Sequence, residues 1–166
     1  MNSLRKPKNN QKRRNSQEVP EDVLAHIKYR EGYGPRVYKD SLGYLTGGWG
    51  HLITPKDNMK LHDLIPPDVA ENWLKQDSLK SYRAALEQAK ELGKEGDADL
   101  VMILTSVNFQ LGTYWRKKFP VSWSLIKEKN YDQAIKNLRA SLWYRQTPIR
   151  VEDFIKELNR LKGNET

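Results

Sequence analysis

The stretch YREGYGPRVYKDSLGYLTGGWGHL, residues 29–52, holds two carboxyls, Glu31 and Asp40, then Thr46 and His51, with six glycines threaded between them. Two carboxyls flanking one bond are what glycoside hydrolysis requires. One, protonated, donates to the leaving oxygen; the other, ionised, handles water or a developing cation. Asp40 stands nine positions after Glu31, which would span about 30 Å in an extended chain at ~3.3 Å per residue. Gly32, Gly34 and Pro35 interrupt any such strand, and a chain folding back there brings both carboxyls to one cleft. Spacing alone leaves a plainer alternative open, since scattered surface acids are commoner than catalytic pairs. Glycines at this density serve tight turns or the close approach of a ligand to the main chain.

The elements that must position these groups follow from the flanking sequence. Pro20, Glu21 and Asp22 suit a helix start, Val23, Leu24 and Ile27 share one face, and Gly32 can end the helix, which puts Glu31 at its C-terminus. "RVYK" and "GYLTGG", joined by the turn "DSLG", form a small hairpin. "ITPKDNMKLHDLIPP" reads as a loop with one helical turn. A long helix opens at Pro67, carries Val69, Trp73, Leu79, Tyr82 and Leu86 at helical spacing and closes at Gly93. "ADLVMILTSVNFQLG" is apolar on nearly all sides, as a central helix is. Shorter helices follow at "SWSLIKEK", "YDQAIKNLRAS" and "VEDFIKELNRL". The expected fold class is α+β: a small β-containing lobe at about 32–66, a bridging helix at about 67–92, and a helical lobe at about 97–162 joined by helix 20–31, with the site in a cleft between the lobes.

At 166 residues, 37% hydrophobic and 30% charged, the chain suits one domain with a real core. No run reaches the ~20 apolar residues of a membrane helix, and no apolar segment follows the first charges, so no secretory signal is expected. Without cysteine, disulfides and thiol catalysis are excluded. The histidines at 26, 51 and 62 lack helical pairing, so neither a metal nor a cofactor is expected. Residues 1–19 hold Arg5, Lys6, Lys8, Lys12, Arg13 and Arg14 against Glu18 alone, +5 of the net +8. A segment this polar cannot offset its ordering entropy, so a disordered arm is expected. Its partners would be an anionic surface, nucleic acid or a virion protein.

Glu31, Asp40 and Thr46, followed by "GWGHL", together resemble the catalytic segment of the T-even phage lysozymes. "NFQLG" at 108–112 is similar to that family's cleft-lining segment, "WYRQTPIR" at 143–150 to its WYxQTPxR signature, and "YDQAIKNLRAS" to the helix before it. The motifs occur in order across roughly residues 21–160. The resemblance implies an inverting muramidase that cuts the β-1,4 bond between N-acetylmuramic acid and N-acetylglucosamine of bacterial peptidoglycan. In it Glu31 is the general acid, Asp40 the second carboxylate and Thr46 the hydroxyl that helps hold the attacking water.

The same resemblance makes Leu52, Phe109, Gln110, Asn137 and Ser141 substrate contacts, puts Arg150 beside the acid and pairs His51 with Asp77 as a structural brace. Two positions depart from the family. Leu142 replaces an arginine that helps bind substrate, with Arg139 and Arg145 the neighbouring candidates for that contact. Gly47 replaces a β-branched or apolar residue, for which a looser strand is expected. Trp49 and the tryptophans at 73, 115, 123 and 143 are expected in the core.

Three other functions compete. A lytic transglycosylase needs the glutamate but forms an anhydro product without water, and Asp40 with Thr46 argues for hydrolysis. A non-catalytic wall-binding or virion structural protein would not need all three groups intact. Nucleic-acid binding rests on the basic arm alone. The lysozyme reading implies a monomer without a membrane span, acting from the host cytoplasm before release to the wall or carried in the virion.

Overall fold

The computed structural model describes residues 17–165. The expectation for the basic arm lies, apart from residues 17–19, outside the described residues. Eight α-helices and a three-stranded antiparallel sheet occur among them, an α+β architecture as expected. The order is α1 (Glu21–Glu31), β1 (Gly34–Lys39), β2 (Leu45–Gly48), β3 (His51–Leu52), a 3₁₀ turn (Pro55–Asp57), α2 (Pro67–Glu91), α3 (Ala98–Leu111), α4 (Trp115–Lys118), α5 (Pro120–Lys127), α6 (Tyr131–Arg139), α7 (Leu142–Gln146) and α8 (Pro148–Glu165). The chain divides into two compact units, Gln17–Lys80 and the residues from Ser81 onward, and α2 contributes to both.

The first unit contains α1, which the sequence grouped with the helical lobe. Lys28 of α1 explains the placement: it pairs with Glu71 at 2.8 Å and sits 4.7 Å from the centre of the Trp49 ring. The sheet has the order β1-β2-β3, with Tyr38 opposite Thr46, and Thr46 and Gly47 opposite Leu52 and His51. Residues 62–65 run along β1 as well, through bonds between Val37 and both His62 and Asp63 and between Ile65 and Pro35. Opposed residues of neighbouring strands share a face and successive residues alternate.

One face of the sheet therefore carries Val37, Gly47 and His51. Val37 joins Ile65, Ala70 and Trp73 in a buried cluster, and His51 stacks on Trp73 at 4.2 Å. A Cβ at Gly47 would lie 2.3 Å from Ile65 Cδ1. The missing side chain leaves no slack, because Ile65 fills its place. Trp49 packs against this cluster, with Tyr33 tilted onto it at 4.6 Å.

In the second unit α3 is the buried centre. Asp97 caps it by accepting from Leu100 N at 3.1 Å and is itself bound by Arg160 at 2.7 Å. Gln88 and Asn108 exchange two amide hydrogen bonds at 2.9 and 3.0 Å, and Asn108 also donates to the Ser81 carbonyl at 3.2 Å. This satisfies polar groups buried between apolar faces. Trp115 meets Trp123 and Phe154 edge-on at 5.5 and 5.7 Å. Trp73, Trp115, Trp123 and Trp143 are all buried, as expected.

Candidate active site

Glu31, Asp40 and Thr46 all lie in the first unit. Glu31 is the last residue of α1, whose end is closed by Gly32 N donating to Lys28 O at 3.2 Å. Its half-buried carboxyl lies against the turn between β2 and β3: a Cβ at Gly50 would be 3.0 Å from Glu31 Oε1. Gly50 also has φ +74°, a conformation that side chains with a Cβ rarely adopt.

Asp40 follows β1 and sits at the head of the "DSLG" turn. Its Oδ1 accepts from Leu42 N and Tyr44 N, both at 2.9 Å, and its own N–H donates to Tyr44 O at 2.9 Å. The side chain is thus fixed through one oxygen. Among the described residues Oδ2 has no donor. Thr46 is buried, and its hydroxyl donates to the same Tyr44 carbonyl at 3.1 Å. With its proton committed there, the oxygen keeps its capacity as an acceptor. The main chain of one residue, Tyr44, therefore holds both side chains: its N–H donates to the carboxylate and its carbonyl accepts from the hydroxyl.

His51 braces the stretch. Nδ1 meets Asp77 Oδ2 at 2.7 Å, and Nε2 meets Asp57 Oδ2 at 2.9 Å. The first contact is the expected pair; the second was missed. Asp57 Oδ2 also accepts from Thr54 N at 2.8 Å and Thr54 Oγ1 at 3.1 Å, a capping box on the 3₁₀ turn. The signal for it lies in "TPKD", a threonine with an acid three residues on. Burial alone would lower the imidazole pKa, but the hydrogen bonds and charges of Asp77 and Asp57 outweigh it and raise the value above its ordinary 6.5. For Asp57 burial acts upward, and the bonds from Thr54 and His51 bring its pKa below 3.8.

The remaining expected site residues differ in how far the structure has already engaged them. Leu52 is 53% exposed on β3. In the second unit Phe109 is half-buried at the end of α3, and nothing among the described residues hydrogen-bonds the half-buried Asn137 side chain. Gln110, by contrast, donates to Thr147 Oγ1 at 3.0 Å and accepts from Trp143 Nε1 at 3.0 Å. Ser141 caps α7, accepting from Tyr144 N at 3.1 Å and donating to Leu138 O at 2.6 Å. Both therefore have a structural task. Arg150 donates to Ser106 O and Oγ at 3.1 and 3.0 Å. At the position of the absent arginine, Arg139 is held by both oxygens of Glu152, whereas Arg145 is exposed and has no ion-pair partner among the described residues. Leu142 is itself 58% exposed.

The pattern of the phage lysozyme family matches residues 28–153. The chain belongs to the phage lysozyme family. The family name carries the enzyme class, a lysozyme-type glycoside hydrolase. The chain is 31% identical over 128 residues to "Peptidoglycan hydrolase gp36" of Pseudomonas phage phiKMV, matching 77% of its own length but only 14% of that protein's. It is 29% and 30% identical to "Probable T4-type lysozyme 2" and "Probable T4-type lysozyme 1" of Dictyostelium discoideum, over 75% of the chain and 85% of each relative. Among the described residues no helix is long and apolar enough to cross a membrane.

Gly50→Ala gives a direct test of how the Glu31 carboxyl is held. The new methyl meets Glu31 Oε1 and the φ becomes strained. The chain is expected to lose about 1 kcal/mol of stability, and about 10- to 100-fold in kcat from displacement of the Glu31 carboxyl. A thermal melt and a steady-state rate read the two separately.

Proposed function

We propose that the chain is a muramidase that hydrolyses the β-1,4 bond between N-acetylmuramic acid and N-acetylglucosamine in peptidoglycan, with inversion at the anomeric carbon. What carries this reading is the pair of acceptors oriented by the main chain of Tyr44: Asp40 Oδ2, without a donor among the described residues, and Thr46 Oγ1, its own proton spent on the Tyr44 carbonyl. A water that gives one hydrogen to each has its oxygen lone pair free to attack. Glu31, in its protonated form, gives H⁺ to the glycosidic oxygen as the C1–O bond breaks. The water oxygen bonds C1 and Asp40 takes its proton. Inversion asks for carboxyl groups about 6.5–9.5 Å apart, leaving room for that water.

Leu52, Phe109, Gln110, Asn137 and Ser141 contact the glycan in this proposal, Phe109 and Asn137 through uncommitted groups and Gln110 and Ser141 through their remaining hydrogen-bonding capacity. Arg145, exposed and without an ion-pair partner among the described residues, supplies the cation missing at Leu142. The enzyme acts as a monomer at the bacterial wall, and the cations of residues 1–19 add attraction toward its anionic polymers.

The test is product analysis. Digested peptidoglycan is expected to yield saccharides ending in reducing N-acetylmuramic acid, with the α anomer formed first. An anhydro end would make the enzyme a transglycosylase, and absence of cleavage would leave a wall-binding protein.

A further inference from the structure

The sheet face opposite the Val37–Ile65–Trp73 cluster carries a row of three side chains, one from each strand. Tyr38 lies opposite Thr46, and Thr46 opposite Leu52. At two strand spacings the row covers about 10 Å. Its centre is buried and its shoulders are open: Thr46 is 7% exposed, Tyr38 42% and Leu52 53%. The Tyr38 ring lies back along its own strand over Gly34, where a Cβ would meet Cε1 at 2.8 Å. Glycine at 34 is thus what lets the ring lie flat. Beyond Gly34, no aromatic ring or hydrogen-bond partner among the described residues engages it, and it is set beside the hydroxyl assigned to the attacking water.

We propose that Tyr38 is a substrate-binding residue whose open ring face packs against a pyranose ring of the glycan, on the opposite side of Thr46 from Leu52. A pyranose presents C–H groups on its faces and hydroxyls at its edge. A flat aromatic beside an aliphatic shoulder suits the faces and leaves the edge hydroxyls to polar groups. Tyr38 and Leu52 then fix where the sugar rests relative to Thr46, and the contact is apolar and insensitive to salt. This rests on the muramidase reading and adds to it a residue that sets the sugar's position.

The experiment uses the full chain in the Glu31→Gln background for binding and the Glu31 background for rates. The probe is a peptide-free tetrasaccharide of alternating N-acetylglucosamine and N-acetylmuramic acid. Tyr38→Ala is expected to weaken binding and raise KM about tenfold, with kcat changed less than about threefold. Tyr38→Phe, which keeps the ring, is expected to restore both to within about threefold. Tyr114→Ala, at a more exposed tyrosine of the second unit, serves as control and is expected to leave KM unchanged. Unchanged KM and Kd in Tyr38→Ala with an unaltered melting temperature would overturn the proposal, as would a Phe variant as impaired as the Ala one. If the wild type binds the tetrasaccharide through Tyr38 without cleaving it, the hydrolase reading fails while the platform stands. If it cleaves and Tyr38 makes no difference, the reverse holds.

Discussion

Glu31→Gln is expected to abolish clearing of a peptidoglycan gel and to lower kcat on soluble glycan by about a thousandfold, within the 10²–10⁴ that general acid catalysis contributes. The glutamine side chain has the same shape, so it fits beside the Gly50 backbone as the glutamate does. What it lacks is a proton that can leave. A sugar alkoxide is a poor leaving group, so without protonation the bond does not break at a useful rate. The melting temperature and the affinity for glycan should stay close to those of the wild type, which separates lost chemistry from lost folding. Asp40→Asn is the companion variant. Only Oδ1 of Asp40 takes the Leu42 and Tyr44 N–H bonds, and an amide oxygen can accept the same two. The turn is kept, while the group facing the water becomes an NH₂ that accepts no proton. Equal clearing by Glu31→Gln and wild type would remove Glu31 from the mechanism.

The second large effect concerns stability. His51→Asn is expected to lower stability at pH 5 by about 2–3 kcal/mol, because it leaves two acids without their shared partner and removes the ring from Trp73. In a chain of this size that corresponds to a fall in Tm of about 5–10 °C. The pH dependence has a definite sign. The His51 pKa is raised by folding, so its contribution is complete below its ordinary 6.5 and is lost as pH rises through the raised value. The Asp57 pKa is lowered, so its contribution is complete above 3.8 and is lost as pH falls through the lowered value. The gap in Tm between wild type and His51→Asn should be widest between about pH 4 and 6.5 and narrow on the alkaline side. Melts across pH 3–9 would show it. A gap that stayed constant to pH 9 would mean that packing on Trp73, not charge, holds the brace. The rate on peptidoglycan near pH 6 should change far less than the stability.

Much of this architecture is legible in the sequence because local rules and tertiary needs agree there. Pro20 with two following acids, and Gly32 at the far end, bracket α1. Pro67 opens α2 where the ring geometry suits a first turn, and the all-round apolar pattern of 98–111 belongs to a central helix. What escapes the sequence is short or made of main chain. β3 has two residues, α4 four and α7 five, too few for any period to register. Asp57 is found only through a capping box closed by Asp instead of Glu. Gln110 illustrates a further limit: an amide near a candidate site looks the same in sequence whether it meets ligand or, as here, Trp143 and Thr147. The Glu31–Asp40–Thr46 set was singled out by its resemblance to the phage lysozyme segment, spacing alone leaving surface acids open. The bonds that hold Asp40 and Thr46 left no mark in the sequence, because they run through the main chain of Tyr44.

That last arrangement has a bearing on evolvability. Position 44 holds Asp40 and Thr46 through its main chain without using its side chain, which is 58% exposed. A library that randomises this codon should retain activity with nearly any residue, and the tolerated chemistry could be spent on tuning which decorated glycans are accepted. Proline alone is barred, since it has no amide hydrogen to give Asp40.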